Sequence, residues 1–213
     1  MDFGGLLQGV GEEPVFETGL LLVGDVNPDD VRRQLSRWVR AERLYQLRRG
    51  LYALAPPFQK VKPHPFLVAN RLMHGSYVSL QSALAHYGLI PEHVPVTTSV
   101  TTGRPVRWQT PLGLYEFRHV QSGLLTGYRR LELGGGQEAF VATPEKALLD
   151  LIHLEPGADA PEYLAELRLQ HLEILSLDEL RRLAEASGKP KLIRAADRIA
   201  RLAETEALEY EVL

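Results

Sequence analysis

The sequence predicts an α+β protein: an N-terminal winged helix-turn-helix, then a mixed domain of antiparallel strands flanked by helices. Three observations lead there. A helix start at Asn27-Pro28-Asp29-Asp30 opens an arginine-rich helix that is followed by a short hairpin. Four prolines crowd the segment 56–65 and divide the chain. Beyond it, strand-like alternation over 96–141 gives way to a helical final third.

Composition bounds the reading. With 213 residues and 45% apolar content, the chain can bury one large core or two small ones. A net charge of −3 means that nucleic-acid affinity has to come from a local patch. No cysteine is present, which removes disulfides, thiolate metal ligands and thiol nucleophiles. Met1-Asp2 opens without a basic region and the longest early apolar run is only Leu20 to Val23, so neither a signal peptide nor a membrane span is expected and the cytoplasm is the predicted location.

In the first part, Phe3 to Val10 contains Gly4, Gly5 and Gly9 and is a poor helix former. Thr18 can cap a short helix through Leu20 to Val23, with Gly24-Asp25-Val26 as a turn. Asn27 as N-cap, Pro28 at the first helical position and two carboxylates at the positive end of the dipole start a helix running to about Ala41. Helical spacing places Val31, Leu35, Trp38 and Val39 on one side and Arg33, Ser36, Arg37 and Arg40 on the other. Two β-type runs, Leu44 to Leu47 and Leu51 to Leu54, flank Arg48-Arg49-Gly50, read as a three-residue loop with two arginines at its tip.

Charge is segregated accordingly. Residues 31–60 hold Arg32, Arg33, Arg37, Arg40, Arg43, Arg48, Arg49 and Lys60 against Glu42 alone, while the first thirty residues carry acids only. A helix with outward Arg and Ser side chains fits a major groove, and wing arginines fit the adjacent backbone. The expected DNA-binding residues are therefore Arg32, Arg33, Ser36, Arg37, Arg40, Arg43, Arg48 and Arg49, within a domain spanning 1–56. Residues 57–65 read as a proline-rich linker and 66–213 as a second, α+β effector domain.

In that second part, Phe66 to Met73 reads as a helix closed by Gly75, and Ser79 as the cap of a helix ending at Gly88. Val96 to Val100, Val106 to Gln109 and Leu114 to Val120 read as strands, the last two joined at Thr110-Pro111-Leu112-Gly113. Tyr128 to Leu133 and Gln137 to Val141 form a hairpin across Gly134-Gly135-Gly136. Thr143-Pro144 opens a helix over Glu145 to Leu154, Ser176 with Glu179 forms a capping box, and a last helix runs from Pro190 to Ala203. Lys191, Arg194, Arg198 and Arg201 line one face of it, a candidate contact for a partner or nucleic acid whose alternative is an ordinary solvated face.

Catalytic signals are absent from the sequence. The seven histidines show no metal-ligand spacing, the glycine triplet is followed by Gln137-Glu138 and not by a phosphate-binding Lys, and Ser79 and Ser82 lack a nucleophile elbow and read as caps. No enzyme activity, catalytic residue, metal or cofactor is expected.

The chain resembles the AbiEi family of bacterial antitoxins, also described as transcriptional regulators of viral defence, over about residues 15–203. The likeness rests on Leu35-Ser36-Arg37-Trp38-Val39, Leu47-Arg48-Arg49-Gly50-Leu51-Tyr52-Ala53-Leu54, Tyr77-Val78-Ser79-Leu80-Gln81-Ser82-Ala83-Leu84, Tyr87-Gly88-Leu89-Ile90-Pro91-Glu92, Val100-Thr101-Thr102-Gly103-Arg104-Pro105, Thr110-Pro111-Leu112-Gly113 and Thr143-Pro144-Glu145-Lys146-Ala147-Leu148-Leu149-Asp150. The resemblance implies an autorepressor that binds inverted repeats in its own promoter, and an antitoxin that counteracts a co-encoded nucleotidyltransferase toxin in a type IV system, without requiring a stable complex. The alternatives are a solitary regulator, a protein-interaction module without a toxin partner, and a nucleotide-directed enzyme, which would need acidic side chains converging in one pocket.

Overall fold

A computed structural model describes residues 2–23, 26–92 and 94–211. The architecture is α+β. In the first part, helix α1 (Phe3–Val10) leads to strand β1 (Phe16–Glu17), a 3₁₀ turn (Thr18–Leu21), helix α2 (Pro28–Arg40) and the hairpin of β2 (Leu44–Arg48) and β3 (Leu51–Leu54). These strands form a three-stranded sheet in the order β1-β3-β2. Helix, turn, basic helix and hairpin in this order are compatible with a winged helix-turn-helix.

Helix α1 forms despite its glycines. Asp2 accepts the Gly5 N–H at 2.7 Å, Gly11 takes a positive φ at the C-cap, and Leu6 and Val10 are buried. Phe3 meets Trp38 and Phe58 edge-on, at ring separations of 5.5 and 4.9 Å. Tertiary packing outweighs the roughly 1 kcal/mol that each glycine costs a helix interior. Of the turn expected at Gly24-Asp25-Val26, Gly24 and Asp25 lie outside the described residues.

The hairpin differs from expectation in register. Arg48 belongs to β2 and pairs with Leu51, so the loop is only Arg49-Gly50, with an irregularity between Gln46 and Arg48. Gly50 has φ +82°, a conformation that other residues adopt only under strain. Period two then sorts the side chains: Leu44, Tyr52 and Leu54 join a small core with Leu6, Phe16, Leu35 and Trp38, whereas Leu47, Leu51 and Ala53 enter the large core of the second part. The hairpin is thus a wall shared by two cores.

The second part contains α3 (Pro65–Leu72), β4 (Ser76–Val78), α4 (Leu80–His86), β5 (Val96–Thr101), β6 (Val106–Thr110), β7 (Gly113–His119), β8 (Tyr128–Glu132), β9 (Glu138–Ala142), α5 (Pro144–Leu154), α6 (Pro161–Glu166), α7 (Leu177–Ala186) and α8 (Pro190–Glu211). The six-stranded sheet runs β6-β7-β5-β4-β9-β8 and is mixed, because β5 pairs with β7, and β4 with β9, in parallel. The short strand β4, hidden from a periodicity reading by its three-residue length, sits near the middle between β5 and β9. Helix α5 is buried from Pro144 to Ile152 and packs on α4, α7 and α8.

The proline-rich segment is not a loose tether. Gln137, in the β8–β9 turn, accepts the His64 N–H at 2.7 Å and donates to the Lys62 carbonyl at 3.0 Å, while Gln59 donates to the Leu54 carbonyl.

Candidate nucleic-acid interface

Helix α2 begins as its residues dictate: the Asn27 side chain accepts the Asp29 N–H at 2.9 Å and Pro28 occupies the first turn. It ends where Glu42 takes φ +54° and the Arg43 N–H returns to the Trp38 carbonyl at 2.9 Å, a left-handed closure that glycine usually supplies. Val31, Leu35 and Trp38 are buried, and Arg32, Arg33, Ser36, Arg37 and Arg40 are exposed.

The outward row divides into paired and unpaired cations. Arg32 pairs with Asp29 at 2.8 Å and Arg33 with Asp30, all four side chains well exposed. The two acids read from sequence as dipole caps therefore also hold arginines. Exposed pairs of this kind contribute about 0–1 kcal/mol, so either arginine can turn to a phosphate at small cost. Arg37 and Arg40 have no ion-pair partner among the described residues. The Ser36 hydroxyl donates to the Arg32 carbonyl at 2.9 Å and keeps its lone pairs outward. Beside this row a groove of about 410 Å³ runs between the 3₁₀ turn and α2, with Leu21 and Val26 on one side and Arg33 and Arg37 on the other.

The remaining expected contacts are placed differently. Arg49 is exposed at the hairpin tip. Arg48 turns back toward the second part: its Nη2 donates to the Arg71 carbonyl at 3.2 Å and lies 3.4 Å from His74 Nε2 and 3.7 Å from Glu17. Arg43 lies over the Phe3 ring, 5.0 Å from its centroid. Among the described residues, the tip therefore presents one arginine without a side-chain partner where two were expected.

On α8, three of the four aligned cations are engaged. Lys191 donates to the Glu155 carbonyl at 2.5 Å, Arg194 grips Asp159 at 2.7 and 3.1 Å, and Arg198 donates to the Asp159 carbonyl. The Arg194 guanidinium holds the Asp159 carboxyl below the usual range. These side chains fasten the loop after α5, and Arg201 alone of the four is exposed without a partner among the described residues.

Sequence reasoning missed a buried constellation. Asp150 accepts from Ser79 Oγ at 2.7 Å, from Tyr77 OH at 3.0 Å and from Lys146 Nζ, and Lys146 and Asp150 are 5% and 1% exposed. Ser79 thus does not cap α4; the Ser82 N–H is received by Thr98 Oγ1 at 3.2 Å instead. Burial, together with the neighbouring Asp150 carboxylate, pushes the Tyr77 phenol far up, so it is a neutral donor. The Ser176 N–H, expected to meet Glu179 in a capping box, is taken by Glu145 at 2.8 Å, and Glu179 grips Arg182. The blocks Tyr77–Ser82 and Thr143–Asp150 therefore meet inside the fold. The i,i+4 spacing of Lys146 and Asp150 was their one local signal.

A groove of about 430 Å³ brings Glu92, Glu116 and Glu166 around an apolar floor that includes Ile90 and Leu167, with Glu116 held 3.7 Å from Arg118. Among the described residues no three His, Cys, Asp or Glu side chains are placed to hold a metal ion. Among them, too, no helix is long and apolar enough to cross a membrane. No protein-family model matches the chain, and no curated protein matches it.

Proposed function

We propose that the chain is a DNA-binding regulator that reads a duplex with α2 and the β2–β3 hairpin. One observation carries this reading: the buried seam of Val31, Leu35 and Trp38 leaves Arg33, Ser36, Arg37 and Arg40 outward on one face of a capped helix. Guanidinium groups there suit phosphate contacts and bidentate contacts to guanine edges. The β1-β3-β2 sheet beside the helix supports a winged helix-turn-helix. On this reading residues 1–56 are the reader, 57–65 a pinned connector and 66–213 the effector part.

The resemblance to AbiEi antitoxins extends the proposal to a cytoplasmic, non-enzymatic autorepressor of its own promoter that also counteracts a co-encoded nucleotidyltransferase toxin. A gel shift comparing the chain's own upstream duplex with a scrambled duplex tests the first part. Preferential retardation of the upstream duplex supports it, and equal or absent retardation contradicts it. Co-expression with a nucleotidyltransferase encoded beside the chain's gene tests the second: growth rescue is expected, and unrelieved toxicity, or a locus that encodes no such protein, leaves a solitary regulator.

A further inference from the structure

A groove of about 380 Å³ lies between α3 and the β8–β9 hairpin. Leu67, Ala139 and Phe140 give it apolar surface, and Phe140 is 47% exposed. Its rim carries the guanidinium groups of Arg71 and Arg130, with His74 beside them, against two carboxylates: Glu138, which Arg130 already holds, and Glu17, 3.1 Å from His74. The walls are tied at a fixed spacing, because Asn70 on α3 accepts the Phe140 N–H at 2.6 Å and donates to the Phe140 carbonyl at 3.4 Å.

The rim touches the hairpin of the reader. His74 Nε2 lies 3.1 Å from Glu17 and 3.4 Å from Arg48, and the same Arg48 nitrogen donates to the backbone of Arg71. Arg48 Nε is buried with no hydrogen-bond partner among the described residues, so this guanidinium is incompletely satisfied where it sits. Arg48 directly precedes the Arg49-Gly50 tip.

The geometry points to a binding site for a small organic anion with an apolar or aromatic body, and to control of the hairpin through Arg48. A preformed groove of this size with apolar walls and convergent donors suits a small molecule. Two arginines select a carboxylate or phosphate group, and Phe140 receives the body. An anion at Arg71 and His74 competes with Glu17 for His74 and draws the Arg48 guanidinium toward itself, which loosens its hold on the hairpin. Because linkage is reciprocal, anion and duplex then weaken each other's binding. This last coupling rests on the DNA-binding reading; the site itself does not.

Phenyl phosphate is the probe, with inorganic phosphate as the anion lacking a body. Isothermal titration of the full chain is expected to show one saturable phenyl phosphate site, weakened about tenfold by Arg71→Gln or Arg130→Gln. Phe140→Ala is expected to weaken phenyl phosphate to a similar extent and to leave inorganic phosphate unchanged. Bound phenyl phosphate is expected to speed tryptic cleavage after Arg49 and to raise the duplex Kd at least about fivefold, the low end of ordinary allosteric coupling. Absence of saturable binding, or binding indifferent to Arg71→Gln, overturns the site. Binding with unchanged tryptic cleavage overturns control of the hairpin. Faster cleavage in a chain that binds no duplex upholds the site and its control, and overturns the DNA-binding reading alone.

Discussion

The Ser79 hydroxyl donates to Asp150 Oδ2 at 2.7 Å, joining residues 71 positions apart at the point where β4 turns into α4 and meets α5. Tyr77 and Lys146 complete the donors around that carboxylate, so two buried charges and two buried hydroxyl groups satisfy one another. Leu80, the next residue, takes φ +58° with its side chain buried, a strained backbone that the network holds in place.

Asp150→Ala leaves the Lys146 ammonium buried without a counter-charge. A loss of about 3–5 kcal/mol in unfolding free energy is expected, measured by urea denaturation. Lys146→Met combined with Asp150→Leu is expected to recover only the part due to the unpaired ammonium, because the Ser79 and Tyr77 hydroxyls then lack their acceptor. A single substitution costing under about 1 kcal/mol contradicts the network's role.

What the sequence made legible is what local chemistry decides. The start of α2 was readable because Asn27, Pro28 and the two acids cap their own helix, and its buried face because Val31, Leu35 and Trp38 recur at helical spacing. The misread positions answer to distant partners. Ser79 has the look of a cap until Asp150 arrives from another element, and Arg48 has the look of a wing tip until Arg71, His74 and Glu17 surround it. The same holds for α1, whose glycines argue against a helix that Trp38 and Phe58 then stabilise through Phe3. In the candidate interface, the exposed arginines of α2 were legible, whereas the diversion of Arg43, Arg48 and most of the α8 stripe into internal contacts was not.

Glu42 closes α2 at φ +54°, where a side chain costs about 1–2 kcal/mol and glycine far less. Glycine also adds about 0.5–1 kcal/mol of unfolded-chain entropy. Glu42→Gly is therefore expected to stabilise the fold by about 0.5–1 kcal/mol, read as a higher urea midpoint. An unchanged or lower midpoint contradicts this account of the helix end.

Burial lowers the pKa values of His64, His86 and His153, aided by His86 at His64, by Arg129 at His86 and by Lys189 at His153. His64 also caps α3 by accepting the Phe66 N–H at Nδ1, 3.1 Å away, which requires the neutral ring. A histidine whose folded pKa is depressed binds protons more readily when unfolded, so stability rises with pH. This contribution is whole above the unfolded value of about 6.5 and is lost as pH falls below it toward the folded values. Unfolding free energy is expected to fall as pH drops below about 6.5. His64→Asn, which keeps a capping side chain, is expected to flatten that fall, and an unaltered profile contradicts the assignment.

Arg48 and Arg49 are neighbours with different duties. Arg49→Ala is expected to weaken binding to all duplexes alike and to lower the salt slope by about 1, with stability unchanged. Arg48→Ala is expected to lower stability, because it empties the contact with Arg71, His74 and Glu17. Urea denaturation and fluorescence anisotropy on the same two proteins separate these outcomes, and identical behaviour contradicts the division.

The most direct test of the reader is the salt dependence of binding to the chain's own upstream duplex, wild type against the triple variant Arg33→Gln, Arg37→Gln, Arg40→Gln. With circular dichroism unchanged, the account predicts a plot of log Kd against log salt that is shallower by about 0.9 for each phosphate contact removed, with preference over scrambled DNA lost. A slope and preference equal to those of the wild type would show that α2 does not meet the duplex.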